Sequence, residues 1–371
     1  MNGSSKPLKP DLHSIRRPVT LWETTPRVIA WEITRKCPLH CRHCRGVAES
    51  KVYEDELCTD ECLRLIDAIV SFSTPLLIMT GGEPMSRPDV FQLARYATDA
   101  GLPVVLAPCG GLINEQTIYN IKQAGIQAIS ISLDGKDADT HDHFRGVPGA
   151  YDTALQALGY AKAAGLPFQV NTTVTRHIVD ELPAILEKVI ALGAMTLDFF
   201  FLVPTGRGRG LVDEQLSPAL HEQTLNWIYD RVQEQRIPIR ITCGPQYARI
   251  ARQRSQEHKP ATITSHASTG CMAGHGFIFI SHLGIVQPCG FLDLACGDLR
   301  GNNFDLQKIY ETSSALTALR KNSGYHEPCS ACEYWNVCGG CRARAYEKGG
   351  DYLGSDPQCT YAPTNCSTQH E

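Results

Sequence analysis

The sequence predicts an α/β fold: a partly closed parallel barrel, (β/α)6, followed by a small cysteine-rich domain. Two observations predict the barrel. From Arg27 to about Val203, six short β-rich runs alternate with helical patterns. Several of those runs are almost continuously apolar, as strands covered on both faces must be. A third observation predicts the appendage: 9 of the 16 cysteines fall after position 270, in a stretch with few long helices.

The arm 1–26 is polar, contains proline and lacks the apolar stretch of a signal peptide. RVIAWEIT (27–34) reads as the first strand. The helix DECLRLIDAIVSF (60–72) follows, with Leu63, Ile66 and Val70 on one face and Thr59 as N-cap. PLLIMTG (75–81), PVVLAPC (103–109), AISISLD (128–134) and FQVNTTV (168–174) supply strands two to five. The helix LPAILEKVIALG ends on Gly193, a residue suited to the left-handed position past a helix C-terminus. LDFFFLV (197–203) is the sixth strand. Successive βα units give a parallel sheet with right-handed crossovers. Six are two short of a closed eight-stranded barrel, so an open barrel with room for a large substrate is expected. VPTGRGRG (203–210) breaks the alternation, and a helix follows near Pro218–Gln235. The core is thus expected over 27–253. Residues 254–270 are polar and read as a linker. Residues 271–371, with the hairpin-like GFIFISHLGIVQPCG, read as a domain held by metal rather than by its core.

Composition narrows the function. A net charge of −4 makes no case for nucleic acid or an anionic membrane. No apolar run approaches the roughly 18 residues of a membrane-spanning helix, so a cytoplasmic protein without a membrane span is expected. In a reducing compartment, clustered thiols hold metal more often than disulfides. Cys58, Cys62, Cys109 and Cys243 lie outside the tight clusters and read as buried apolar thiols.

The motif CPLHCRHC places Cys37, Cys41 and Cys44 just after the first strand, at the strand end where such barrels put their chemistry. A cubane iron–sulfur cluster takes one thiolate per iron. Three thiols leave one iron open to a small molecule, which is the arrangement of a catalytic metal site. Zinc is the alternative for this motif in isolation. TGGEP (80–84) follows the second strand, SISLDG (130–135) and HDHFRG (141–146) follow one another at the fourth, and VNTTV places Asn171 at the fifth. Toward the C-terminus run Cys271, Gly284-x4-Cys289, Cys329-x2-Cys332-x5-Cys338-x2-Cys341 and Cys359. Paired CxxC motifs suit a zinc ribbon or iron–sulfur clusters equally well.

Together these segments resemble the radical S-adenosylmethionine (radical SAM) superfamily, and the C-terminal run resembles its SPASM extension. The resemblance implies a [4Fe–4S] cluster on Cys37, Cys41 and Cys44, with S-adenosylmethionine on the free iron. Gly81, Gly82, Glu83, Ser132, Arg145 and Asn171 are then the implied contacts to S-adenosylmethionine. Glu83 falls to the methionine ammonium, Arg145 to its carboxylate and Asn171 to the ribose. Relatives often carry Thr-Asn-Gly after the third strand, where this chain has Pro108-Cys109-Gly110. The SPASM likeness implies two auxiliary [4Fe–4S] clusters, the outer on Cys329, Cys332, Cys338 and Cys359. The inner one falls to Cys271, Cys289 and Cys341, with Cys296 or an open position as its fourth ligand. The usual pattern has three residues between the last two cysteines of the quartet, and this chain has two.

Over nearly the whole chain, phrases such as FRGVPGAY, FLVPTGRGRG and CEYWNVCGGCRARAYEKGGDYL look most like the heme synthases of the siroheme-dependent heme route. That likeness implies oxidative decarboxylation of two propionates of iron-coproporphyrin III to vinyl groups, giving heme b. It also implies a low-potential electron donor such as flavodoxin or ferredoxin. Arg207, Arg209 and the RARAY segment (342–346) offer guanidinium partners for propionates. His40, His43, His275 and His282 are chemically able to ligate a porphyrin iron, and the sequence selects none. Two other activities fit the motifs: modification of a ribosomal peptide or protein, and a related step of the heme d1 or siroheme pathways. Only 26 residues precede the first strand, few for a peptide-recognition domain. A simple electron carrier has no use for a S-adenosylmethionine pocket.

Overall fold

The computed structural model describes residues 24–257 and 270–364. The expected arm, apart from 24–26, and the expected linker, apart from 254–257 and 270, lie outside the described residues.

Among the described residues one ten-stranded sheet organises the chain, in the order β10-β9-β8-β1-β2-β3-β4-β5-β6-β7. Its first six strands lie where the apolar runs predict them: β1 (Val28–Thr34), β2 (Leu76–Gly81), β3 (Val104–Leu106), β4 (Ala128–Ser132), β5 (Phe168–Val174) and β6 (Thr196–Phe201). They are parallel throughout. A seventh parallel strand, β7 (Ile239–Thr242), pairs with β6. It was not among those expected, because four residues with an exposed Arg240 carry little periodic signal.

Helices α1 (Thr59–Phe72), α2 (Val90–Asp99), α3 (Glu115–Gln123), α4 (Ala138–Arg145), α5 (Ala150–Ala163), α6 (Leu182–Leu192), α7 (Pro218–Gln233) and α8 (Gln246–Glu257) connect or follow these strands. Ile29, Trp31, Leu77, Met79, Val104, Ile131, Val170, Leu197 and Phe199 are wholly buried in one continuous core with the apolar faces of these helices. Residues 254–257, expected in a linker, are the last turn of α8.

Helix α1 is capped one residue earlier than expected. The Glu61 carboxylate accepts the Cys58 backbone N–H at 2.9 Å, while the Thr59 hydroxyl donates to Asp89 at 2.7 Å. Its buried face is Cys62, Leu65, Ile66 and Ile69, flanked by Leu63 and Val70. Cys58, expected to be buried, is exposed, since a cap residue sits outside the helix it starts. Helix α6 ends as expected, with Gly193 at φ 82°.

The cysteine-rich stretch continues the barrel sheet. The hairpin β8 (Phe277–Ile280) and β9 (Ile285–Gln287) lays β8 parallel to β1, in the register Val28 with Phe277, and β10 (Gly297–Asp298) adds outside β9. Helices α9 (Leu306–Thr312), α10 (Ser314–Leu319) and α11 (Arg342–Gly349) follow. Buried Asp356 ties this stretch together. It accepts from Arg344 at 2.9 Å, from the Cys341 backbone N–H at 2.7 Å and from Gln246 of α8 at 2.7 Å. A buried carboxylate so fully satisfied retains its charge. Among the described residues no helix is long and apolar enough to cross a membrane.

Candidate active site

The loop leaving β1 carries Cys37, Cys41 and Cys44 across the strand ends. Backbone bonds set its path: Cys37 N–H to Glu49 O at 3.0 Å, Cys44 N–H to Cys41 O at 3.2 Å and Arg42 N–H to Phe144 O at 3.0 Å. The three sulfurs are mutually within electrostatic reach, and Cys37 and Cys41 are buried. Burial pushes the Cys37 thiol up to about 12. It also raises Cys41, against the pull of the Arg145 guanidinium, which donates to Cys41 Sγ at 3.7 Å. Burial thus favours the thiol form of Cys37 and Cys41, and a bound metal cation would draw out their thiolates.

No group of three or more His, Cys, Asp or Glu side chains among the described residues closes tightly enough to hold a single ion. A cubane, with each thiolate on its own iron, asks for a wider set. The donor chemistry fits that group.

The TGGEP segment packs against this loop. A Cβ on Gly81 would lie 2.1 Å from Thr34 O, and one on Gly82 would lie 2.5 Å from the carbonyl oxygens of Arg35 and Lys36. Gly82 and Glu83 donate their N–H groups to Thr34 and Lys36 carbonyls at 2.8 and 2.7 Å. The glycines therefore make room for the loop backbone. Glu83 is fully buried, and its carboxylate accepts from the backbone N–H of Met85 at 2.9 Å and of Cys109 at 2.7 Å. The polar link at position 109 is thus made by the main chain, which any residue supplies. The Cys109 thiol itself is half-buried at the cavity wall.

A cavity of about 580 Å³ opens beside the loop. Lys36, Pro38 and Leu39 line it from the loop, Gly81 and Gly82 from the end of β2, Ser132 from β4 and Asn171 from β5. Ser132 and Asn171 are neighbours in the sheet register. Arg145, at the end of α4, lines the cavity while pairing with Asp134, whose other oxygen accepts the Thr173 N–H at 2.6 Å. His141 also lines it and accepts the Asp134 N–H at 3.0 Å; burial and the Arg145 charge lower this imidazole to about 4, so it is neutral. Five of the six expected contact residues thus converge on one cavity; Glu83 is not in its lining but is buried and bonded to Cys109, which is.

The arginines offered to propionates are committed elsewhere. Arg207 donates to Cys41 O and Ala48 O, both at 2.9 Å, and its own N–H reaches Cys44 O at 3.0 Å. Gly206, at φ 58°, has no room for a side chain, since a Cβ would stand 2.3 Å from Arg45 O. The 203–210 segment is therefore a brace over the cysteine loop. Arg209 makes a two-pronged pair with Glu347 of α11 at 3.0 and 3.1 Å. Arg344 is buried on Asp356, and Arg342 donates to the carbonyls of Gly340, Tyr352 and Gly354. Two of the histidines are engaged as well. His43 stacks on Phe144 with ring centroids 4.3 Å apart, and His282 bonds Glu32 at 2.9 Å.

The C-terminal thiols form two sets. Cys332 and Cys338 each interact with Cys329 and Cys359. Cys289 interacts with Cys271 and Cys341. Arg45, immediately after Cys44, lies over the Phe279 ring at 3.9 Å and within reach of Cys289, so the loop and the second set are neighbours. Cys243, read as an apolar thiol, stands in this second set beside Cys341. Its signal was its place just after a strand, as for Cys37, and it was missed because β7 was missed. Cys366 lies outside the described residues.

A model of the radical SAM superfamily matches residues 31–189. Among characterised relatives, the AdoMet-dependent heme synthase of Nitratidesulfovibrio vulgaris is 44% identical over 353 residues, covering 93% of this chain and 96% of its own. The enzyme of the same name from Methanosarcina barkeri is 44% identical over 343 residues, covering 91% and 97%. Among solved structures, Streptococcus suis SuiB bound to S-adenosylmethionine superposes with a TM-score of 0.72 over 91% of this chain and 78% of its own. At 15% identity that likeness is one of fold.

Proposed function

The chain belongs to the radical SAM superfamily and, within it, to the AdoMet-dependent heme synthases, and on that premise we propose that it oxidatively decarboxylates two propionates of iron-coproporphyrin III to vinyl groups, yielding heme b. The observation that carries this reading is likeness to those enzymes along barrel and cysteine-rich stretch alike, at 44% identity over 93% of the chain.

Cys37, Cys41 and Cys44 would hold the [4Fe–4S] cluster. With S-adenosylmethionine on its open iron, such a cluster supplies one-electron cleavage of the sulfonium and a 5′-deoxyadenosyl radical. The chain's residues bind and orient. Arg145, held by Asp134, presents a fixed cation to a carboxylate in the cavity. Ser132 and Asn171 offer hydroxyl and amide groups to a ribose. Glu83 fixes the segment after β3 through the Cys109 N–H, beside the two glycines that let the cysteine loop pack close.

Each vinyl group requires the propionate to lose a hydrogen atom, CO2 and one electron. An acceptor is therefore needed, and the two C-terminal thiol sets are where the chain offers redox centres. Cys329, Cys332, Cys338 and Cys359 would hold the outer auxiliary cluster, and Cys271, Cys289 and Cys341 the inner. A low-potential donor such as flavodoxin or ferredoxin completes the scheme. So many metal-directed thiols suit a reducing compartment, the cytoplasm.

The test is anaerobic incubation of reconstituted protein with S-adenosylmethionine, reductant and iron-coproporphyrin III, followed by mass spectrometry. The product mass falls by two CO2 and four hydrogens (two abstracted atoms and two carboxyl protons), and a tricarboxylate with one vinyl group appears and decays. Turnover of S-adenosylmethionine with the macrocycle unchanged refutes the substrate and favours a peptide-modifying activity. Iron analysis tests the clusters separately: about twelve per chain is expected, and about four with zinc present removes the auxiliary pair.

A further inference from the structure

Four thiols, rather than three, share the inner pocket. Cys243 follows β7, and its thiol stands beside that of Cys341 and within electrostatic reach of Cys289. Cys289 in turn faces Cys271 and Cys341. Val203, Leu292 and Ala343 form the apolar wall against which Cys243, Cys289 and Cys341 pack.

The backbone is bent to put Cys243 there. Its φ of 60° is left-handed, a region that non-glycine residues avoid. Its carbonyl is held by Arg344 at 2.9 Å. Gly244 follows where a Cβ would meet Ile241 Cγ2 at 2.7 Å and Phe201 Cδ2 at 2.9 Å, so the chain turns sharply beneath the thiol. Strain of this kind persists where the surroundings need the side chain in one direction.

Cys296, the fourth ligand considered from the sequence, points elsewhere. Its thiol donates to Leu294 O at 3.7 Å, and its other polar neighbours are Ser313 and Arg320.

We propose that Cys243 is the fourth protein ligand of the inner auxiliary cluster, beside Cys271, Cys289 and Cys341. The inference rests on the auxiliary-cluster reading above. Each thiol gives up its proton on binding iron, and all four irons then carry a protein ligand. The inner cluster has no iron left for substrate, so its part is to carry electrons and not to bind the macrocycle.

The experiment uses full-length protein in which Cys37→Ala, Cys41→Ala and Cys44→Ala remove the one site with an open iron. A cubane lacking a protein ligand loses that iron on mild oxidation and gives a three-iron EPR signal. The background should retain about eight iron per chain and show no such signal after ferricyanide treatment. Adding Cys243→Ala should produce about one three-iron spin per chain, or strip about four iron, while adding Cys296→Ala does neither. A signal already present in the background and unmoved by Cys243→Ala overturns the inference and leaves the auxiliary clusters standing. So does a signal produced by Cys296→Ala alone. A background with almost no iron removes the auxiliary clusters and the inference together. If the background protein does not accumulate, Cys243→Ala alone is read in the intact chain. There the oxidised three-iron spins rise from about one to about two per chain, or iron falls by about four. Neither change occurring overturns the proposal.

Discussion

Replacing Arg207 by alanine separates a brace from a substrate contact. The substitution deletes two bonds from a charged guanidinium to the carbonyls of Cys41 and Ala48, each 2.9 Å long, and leaves the backbone bond from residue 207 to Cys44 in place. Hydrogen bonds to charged groups contribute about 1.5–3 kcal/mol each. The side chain is only partly buried, so water recovers some of that, and about 2–4 kcal/mol of local stability is lost. The cysteine loop then opens roughly 30- to 700-fold more often. In anaerobic protein challenged with a coloured ferrous chelator, release of about four iron per chain should accelerate at least tenfold. Arg207→Lys should fall between, because an ammonium cannot span both carbonyls as a planar fork does. Unchanged iron release with only a rise in the apparent KM for the porphyrin refutes the brace. Arg207 would then face substrate.

Gly82→Ala should cost about 1–3 kcal/mol or more from overpacking, since its Cβ would stand 2.5 Å from two carbonyl oxygens; a denaturation midpoint equal to that of the parent contradicts the packing. Asp356→Ala should destabilise the protein by about 3–5 kcal/mol by stranding buried Arg344, and Asp356→Leu with Arg344→Met should recover most of it. Burial pushes the Asp356 carboxyl up, but Arg344 and the surrounding N–H groups hold it well below the usual carboxylate range. Its stabilisation is therefore present above an unfolded value near 3.9 and is lost only as pH falls through the lower folded one, so urea midpoints should be flat above about pH 5 with respect to this residue. Asp198 behaves oppositely. Burial lifts it to about 6 although Thr242 donates to it at 3.1 Å. The fold keeps its proton where the unfolded chain has released it, so stability falls by about 3 kcal/mol as pH rises from about 4 to 6. Asp198→Asn should remove that slope, and equal gains at pH 5 and pH 8 would show that the carboxyl is not its source.

The six β-rich runs were legible because hydrophobic patterning is a local property, and each became a strand of the sheet. The cavity was legible too, because every parallel strand ends on the same side and its last residues must face one opening. That geometry brings Gly81, Gly82, Ser132, Arg145 and Asn171 together from four separate segments. Strand β7 was not legible, because exposed Arg240 interrupts its short apolar run, and Cys243 was misread along with it. Cys58 was misread for a different reason: burial of one thiol depends on whether it falls inside a helix or caps it.

The sequence by itself determined the donors, namely which residues carry thiols, guanidinium groups and carboxylates and at what spacing along each strand end. Only the tertiary structure decided their partners. Arg207 and Arg209 look like free cations in the string GRGRG, yet one is spent on the cysteine loop and the other on Glu347 of a helix 138 residues away. Cys243 looks like an isolated apolar thiol until β7 carries it to Cys341. A hydrogen bond or a thiolate ligand acts over about 3 Å, and which groups come that close depends on where distant segments cross, which no local pattern contains.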